Sequence, residues 1–99
     1  MSYVERFRGV FGESAPVIGM VHMLALPGAP GFTGDLDAVI ERAVADAQSL
    51  SNGGANALLV ENFHDYPFYP VTTEPETVAA AAVVAREVSR QTNLPLGIN

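Results

Sequence analysis

The sequence contains no cysteine, no lysine and no long uninterrupted apolar run. The absence of cysteine excludes a disulfide framework, a thiolate metal site and a cysteine nucleophile. A transmembrane helix needs about 18 or more apolar residues in succession, so no membrane span is expected. Residues 1–10 lack the apolar core of a signal peptide, because Glu5, Arg6 and Arg8 interrupt them. We therefore expect a cytoplasmic protein.

The charge balance is acidic, and all five basic residues are arginine. Against eleven acidic residues they leave a net charge of −6. Nucleic-acid binding needs a basic surface that neutralises phosphates, so this class of partner is not expected. A GC-rich genome explains the lack of lysine beside many alanines. A salt-adapted cytoplasm, in which screening makes an acidic surface tolerable, is the alternative explanation.

Apolar periodicity divides the chain into alternating helices and strands. The pattern predicts helices over residues 2–11, about 35–51 and about 75–91, and strands over residues 17–22, 57–61 and 96–99. Strands that alternate with amphipathic helices form βαβ units with right-handed crossovers and a parallel sheet. The sequence therefore predicts an α/β fold with a short N-terminal helix.

The two long helices differ in the quality of their signals. The first has one continuous apolar stripe, formed by Leu36, Val39, Ile40, Ala43, Val44, Ala47 and Leu50. The second is expected to bury Val78, Ala81, Ala82, Ala85 and Val88. Thr33 or Asp35 can cap the first helix, and residues 52–54 (Asn-Gly-Gly) end it. Thr73 and Glu76 match a capping box at the start of the second, with Pro75 in its first turn.

Loop lengths distinguish the two ends of the predicted sheet. The turns that precede strands, at residues 52–56 and 93–95, are short, whereas the loops that follow strands, at residues 23–34 and 62–73, are long. This asymmetry is typical of α/β barrels, whose active sites lie at the carboxyl ends of the strands. A barrel of this type needs eight strands and typically about 250 residues. We therefore expect residues 1–99 to be one partial domain, the N-terminal βαβαβ portion of a TIM barrel in a longer protein. A small doubly wound domain is the competing interpretation, but three strands leave it no topological switch point.

Polar residues appear where each predicted strand ends. His22, Glu61 and Asn99 follow otherwise apolar strands and are the candidate catalytic residues. An imidazole at such a position can act as general acid or base at neutral pH. The structural alternatives are a hydrogen-bonded core histidine and a glutamate held in a salt bridge. One histidine and one carboxylate do not define a metal site, so none is predicted, and no cofactor is indicated.

Three further residues are candidates for binding a substrate: Asn62, Asp65 and Gly28. Strand alternation places Glu61 inward and Asn62 at the rim. Asp65 lies in a loop with His64 and the aromatic residues Tyr66, Phe68 and Tyr69, which could form a lid or pack against the rim. The Gly28, Gly31 and Gly34 series could hold an anion at a helix start, but its spacing matches neither common phosphate-binding motif, and turn geometry also explains it.

Four ordered segments resemble the BtpA/SgcQ family. They are VIGMVH at residues 17–22 with LPGAP at 26–30; VENF at 60–63 with Asp65, Pro67 and Phe68; ETV at 76–78; and LPLGIN at 94–99. The resemblance covers nearly the whole chain, from Phe7 to Asn99. It implies a TIM barrel of the phosphate- or sugar-handling type, such as the ribulose-phosphate binding barrels, and roughly two and a half times this length. Photosynthetic members are named for photosystem I assembly, and others accompany sugar-metabolism proteins.

Three hypotheses about function follow. The first is an enzyme, or part of one, that acts on a small polar and phosphorylated or sugar-type metabolite. The second is a non-catalytic assembly factor that uses the barrel as a binding surface. The expected partners are a small-molecule ligand and, besides it, a second copy of the chain or a protein complex. The third is an inactive fragment.

Overall fold

The computed structural model describes residues 1–12, 15–62 and 74–99. Its elements are α1 (Tyr3–Phe11), β1 (Ile18–His22), α2 (Leu36–Asn52), β2 (Ala57–Glu61), α3 (Pro75–Gln91) and β3 (Leu96–Ile98). The three strands form one parallel sheet in the order β1-β2-β3. The predicted α/β fold with a βαβαβ order is confirmed, and β3 ends one residue earlier than expected.

Helices α2 and α3 pack side by side on one face of the sheet. Their contact with the strands buries an aliphatic core whose largest fully buried side chains are Met23, Leu26, Leu58, Val21, Val60, Val84 and Val88. The opposite face of the sheet, which we call the open face, carries Ile18 and Met20, exposed by 48% and 39%. Among the described residues no helix covers this face. The layer order is thus one helix layer on one three-stranded sheet, with a smallest dimension of 18 Å.

The ends of the helices follow from local hydrogen bonds. Asp35 caps α2, because its Oδ1 accepts from the Ala38 N–H at 3.1 Å, as expected. Gly54 follows this helix with a φ of 101°, a conformation that glycine adopts without strain. Ser2 and Glu5 form a capping box at α1 that was not predicted.

The start of α3 differs from the prediction. Pro75 is its first residue, as expected, but the N-cap is Glu74, whose side chain makes no capping hydrogen bond. The predicted capping box required Thr73, which lies outside the described residues. With Glu74 as the N-cap, Glu76 is the second residue of the helix, whereas a capping box needs its glutamate at the third.

The buried face of α3 is rotated from the predicted one. The buried residues are Thr77, Ala80, Val84, Ala85 and Val88, whereas Val78 is 58% exposed. Ala85 and Val88 were expected in the core and are buried, and Ala81 is partly buried, whereas Val78 and Ala82 were wrongly placed there. An alanine run, residues 79–82, gives no contrast of hydropathy around the helix, so periodicity could not fix its rotation.

Asn56 joins the amino-terminal ends of the first two strands. Its side-chain Oδ1 accepts from the Val17 N–H at 2.8 Å, and its own N–H donates to the Val17 carbonyl at 2.8 Å. This pair of bonds fixes the register of β1 against β2, in which Ile18 lies opposite Ala57. Because the register is fixed at the amino-terminal ends of the strands, the polar residues at their carboxyl ends lie level with each other.

No helix among the described residues has both the length and the hydropathy needed to cross a bilayer.

Candidate functional site

His22 and Glu61 lie side by side at the carboxyl ends of β1 and β2. They are direct partners in the parallel register, and His22 Nε2 lies 3.9 Å from Glu61 Oε2. Beyond them the Met23 N–H donates to the Glu61 carbonyl at 2.8 Å, which continues the ladder by one step. The structure thus brings together the first two candidate catalytic residues.

The alternation of side chains explains why both groups lie on the open face. Gly19 and Val21 are buried, whereas Ile18 and Met20 are exposed on the other side of β1. Since successive residues of a strand point to opposite faces, His22 continues the series of Ile18 and Met20. Glu61 lies opposite His22 in the register and therefore lies on the same face. The inward position predicted for Glu61 thus corresponds to the open face.

Asn99 lies one position beyond β3, next in line after Glu61. Ile98 is paired with Val60, and the Asn99 N–H donates to the Val60 carbonyl at 2.9 Å. Asn99 therefore extends the row of His22 and Glu61 across the third strand. Its side chain is exposed, and it supplies one amide donor pair and one carbonyl acceptor.

The geometry of the His22–Glu61 pair leaves both groups able to contact a ligand. Their side chains are 41% and 26% exposed. A separation of 3.9 Å is longer than a hydrogen bond, so the two groups are close without sharing a proton directly. An exposed ion pair of this kind contributes only about 0–1 kcal/mol to stability. The direct contact between these two side chains therefore adds little to stability.

A groove of 380 Å³ runs beside the free edge of β1 and reaches His22. Its walls are Met20 and His22 on the strand and Arg42, Asp46, Ser49 and Leu50 on α2. Arg42 and Asp46 form an ion pair, with Nε 3.0 Å from Oδ2. The volume lies at the lower end of the range for small-molecule sites.

The candidate binding residues are distributed differently. Asn62 directly follows β2 and is half-buried. Gly28 lies against the first turn of α3, with a φ of 98°. Asp65 lies outside the described residues, as do His64 and the aromatic residues of the second loop. The described geometry therefore places Gly28 in a packing contact and leaves Asn62 beside the strand-end row.

Thr77 is a residue near this edge that sequence reasoning did not single out. Its Oγ1 donates to the Pro27 carbonyl at 2.6 Å, and it is 4% exposed. A threonine at the start of a helix usually suggests a cap, and no local pattern indicates a partner in a loop so distant in sequence. Periodicity gave no signal either, because the alanine run leaves the buried side of α3 undefined.

Within residues 1–12, 15–62 and 74–99, no group of three or more histidine, aspartate or glutamate side chains is arranged to hold a metal ion.

Comparison with known proteins identifies relatives over most of the chain. Residues 13–99 match the model of the BtpA family. The chain is 51% identical over 87 residues to an uncharacterized protein of Pyrococcus horikoshii. The aligned residues cover 88% of the chain and 33% of that protein. It is 42% identical over 89 residues to the photosystem I biogenesis protein BtpA of Synechocystis, covering 90% of the chain and 31% of that protein.

A third relative is the putative sgc region protein SgcQ of Escherichia coli. It is 37% identical over 92 residues, which cover 91% of the chain and 34% of that protein. No solved structure matches the chain. The chain spans about a third of the length of the curated relatives it matches. The matched range contains all three strands and both long helices, and the chain therefore belongs to the BtpA family.

Proposed function

We propose that the chain supplies the first three strand ends of a small-molecule site in a BtpA-family α/β barrel. The observation that carries the proposal is the level row of His22, Glu61 and Asn99 at the carboxyl ends of three adjacent parallel strands. This edge is where α/β barrels place their ligands. The remaining strands and any further site residues belong to the part of the relatives that this chain does not span.

The chemistry proposed for the row is acid–base and hydrogen-bonding work on a small polar metabolite. His22 and Glu61 are close enough to act on one substrate, since their side-chain atoms are 3.9 Å apart. An imidazole accepts or donates a proton at neutral pH, and a neighbouring carboxylate orients it or takes the second proton. The Asn99 amide would fix a hydroxyl or phosphate oxygen, with Asn62 at the rim. A phosphorylated or sugar-type ligand is the class that the family resemblance suggests.

The test is ligand binding by the full-length protein and its strand-end variants. Sugars, sugar phosphates and inorganic phosphate are screened by the shift they cause in Tm. For a compound that binds, His22→Gln and Glu61→Gln should weaken binding at least about tenfold, the effect of losing one charged hydrogen bond. Circular dichroism and the Tm without ligand show whether each variant remains folded.

Arg90→Gln with Glu87→Gln is the matched control, since it removes an exposed ion pair on α3, with Nη1 2.8 Å from Oε1, that lies away from the strand ends and the groove. Unchanged binding in both strand-end variants would refute the proposed site.

A second candidate is a non-catalytic biogenesis factor. The observation in its favour is the similarity to the Synechocystis photosystem I biogenesis protein BtpA over 90% of the chain. Such a factor would use an outer surface, and α3 offers exposed Val78 and Val83 there. In a Synechocystis strain that lacks its own relative, Val78→Asp with Val83→Asp should then abolish complementation, whereas His22→Gln should not. The reverse result would favour the small-molecule site.

A further inference from the structure

The loop that follows β1 is built into the core. Met23 and Leu26 are 1% and 0% exposed, and Phe32 packs against the same cluster. Two backbone bonds shape the loop: the Ala29 N–H donates to the Leu26 carbonyl, and the Phe32 N–H donates to the Ala29 carbonyl. The segment that begins directly after His22 therefore has a defined path over the helix layer.

One contact ties this path to α3. The buried Thr77 hydroxyl donates to the Pro27 carbonyl at 2.6 Å. At the next residue, Gly28, a Cβ would lie 2.6 Å from Thr77 Oγ1 and 3.5 Å from the Glu74 Cβ. The contact thus needs both a hydroxyl on α3 and a residue without a side chain in the loop, and Gly28 also has a positive φ of 98°.

We propose that Thr77 is a positioning residue of the candidate site. It joins the loop after β1 to the first turn of α3, and so connects two neighbouring βα units at the edge where His22 and Glu61 lie. Through Pro27 and Gly28 it holds the backbone that leaves His22. This inference rests on the proposed function, because it assigns Thr77 to the support of that site.

A merely structural role for Thr77 makes a different prediction. A threonine that only satisfies its own buried hydroxyl should lower global stability when replaced and leave local behaviour near His22 unchanged. Thr92, the C-cap residue of α3, provides the matched control. It is also buried, and its Oγ1 donates to the Val88 carbonyl of that helix at 3.1 Å.

The experiment compares Thr77→Val, Thr77→Ser and Thr92→Val in the full-length protein. Amide hydrogen exchange is measured for residues 23–32, together with the NMR signals of the His22 imidazole, which His22→Gln assigns. Thr77→Val keeps the shape and removes the donor, so exchange in residues 23–32 should rise about five- to tenfold, the factor expected for one lost hydrogen bond. The His22 signals should shift. Thr77→Ser should restore both readouts, and Thr92→Val should change neither.

Gly28→Ala gives a second route to the same result. It should raise exchange in residues 23–32 by itself, because the new Cβ collides with Thr77 Oγ1. When Thr77→Ala removes that oxygen, adding Gly28→Ala should have a smaller effect than it has alone. Equal effects in both backgrounds would show that the contact does not couple the two residues.

The positioning role is overturned if Thr77→Val leaves residues 23–32 and the His22 signals unchanged, or spreads its effect evenly along the chain. Neither readout needs a ligand, so the result is independent of the binding screen. Wild-type binding in His22→Gln and Glu61→Gln would instead refute the proposed site while the exchange data stood.

Discussion

At the residue scale, the polar strand ends combine closeness with access to solvent. His22 and Glu61 are neighbours by register and keep 41% and 26% of their side chains exposed. The two side chains are therefore near neighbours that solvent reaches, and the proposed small-molecule site rests on this arrangement.

Asn56 makes a residue-scale prediction about stability. Asn56→Ala removes the acceptor of the Val17 N–H and should lower the free energy of unfolding by about 1 kcal/mol, the usual contribution of one hydrogen bond. Urea unfolding of the full-length protein measures it. Asn93→Ala, in the turn before β3, is the control and should lie within about 0.5 kcal/mol of wild type. Equal losses would mean that the Asn56 side chain does not secure the strand.

Strand periodicity and parallel pairing predicted the part of the candidate site that lies on the strands. Alternation along residues 57–61 placed Glu61 on the face away from the helices, and parallel pairing placed it beside His22. The role of Gly28 could not be predicted, because its constraint comes from a side chain about 50 residues away. Contacts between separate βα units leave no periodic trace in one sequence.

At the element scale, helix α2 and helix α3 show how much a hydrophobic stripe can specify. In α2 the predicted stripe is correct, since Val39, Ala43 and Ala47 are buried and their larger neighbours pack against the core. In α3 the existence and bounds of the helix were predictable from Pro75 and from the turn before β3. Its rotation was not, because alanines contribute nearly the same free energy on any face.

The rotation of α3 can be tested with two valines. Val84 is fully buried, and Val84→Ala should lower the free energy of unfolding by about 2 kcal/mol through lost burial and a cavity. Val78 is 58% exposed, and Val78→Ala should change it by less than about 0.5 kcal/mol, since alanine favours helix. Chemical denaturation compares the two. A larger loss for Val78→Ala would restore the rotation expected from the sequence.

At the scale of the whole molecule, the sheet is covered on one side only by the described residues. The Cα radius of gyration is 14.5 Å, compared with about 13 Å for a compact domain of about 100 residues. Ile18 on the open face and Val83 on the outer side of α3 are similarly exposed, at 48% and 46%. In a closed barrel Ile18 would be buried, whereas Val83 would stay exposed.

This difference predicts unequal effects in the full-length protein. Ile18→Glu should lower Tm by about 10 °C, because an unpaired buried charge costs about 3–5 kcal/mol and each kcal/mol shifts Tm by about 2–4 °C in a chain of about 250 residues. Val83→Glu should leave Tm almost unchanged. Differential scanning calorimetry gives both values. A wild-type Tm for Ile18→Glu would show that the face stays in water, which excludes barrel closure over it.

The strand order has a consequence for the timing of folding. The strands lie in the sheet in the order in which they are synthesised, so each new strand meets a neighbour that has already left the ribosome. The paired residues are still far apart in sequence, as Ile18 is from Ala57 and Leu58 is from Leu96, and non-local pairing of this kind is slow. The bond from Thr77 to Pro27 spans more of the chain again, because its two partners are 50 residues apart. The loop after His22 therefore reaches its final path only when α3 forms, which is later than the synthesis of β1 and β2 and earlier than that of β3.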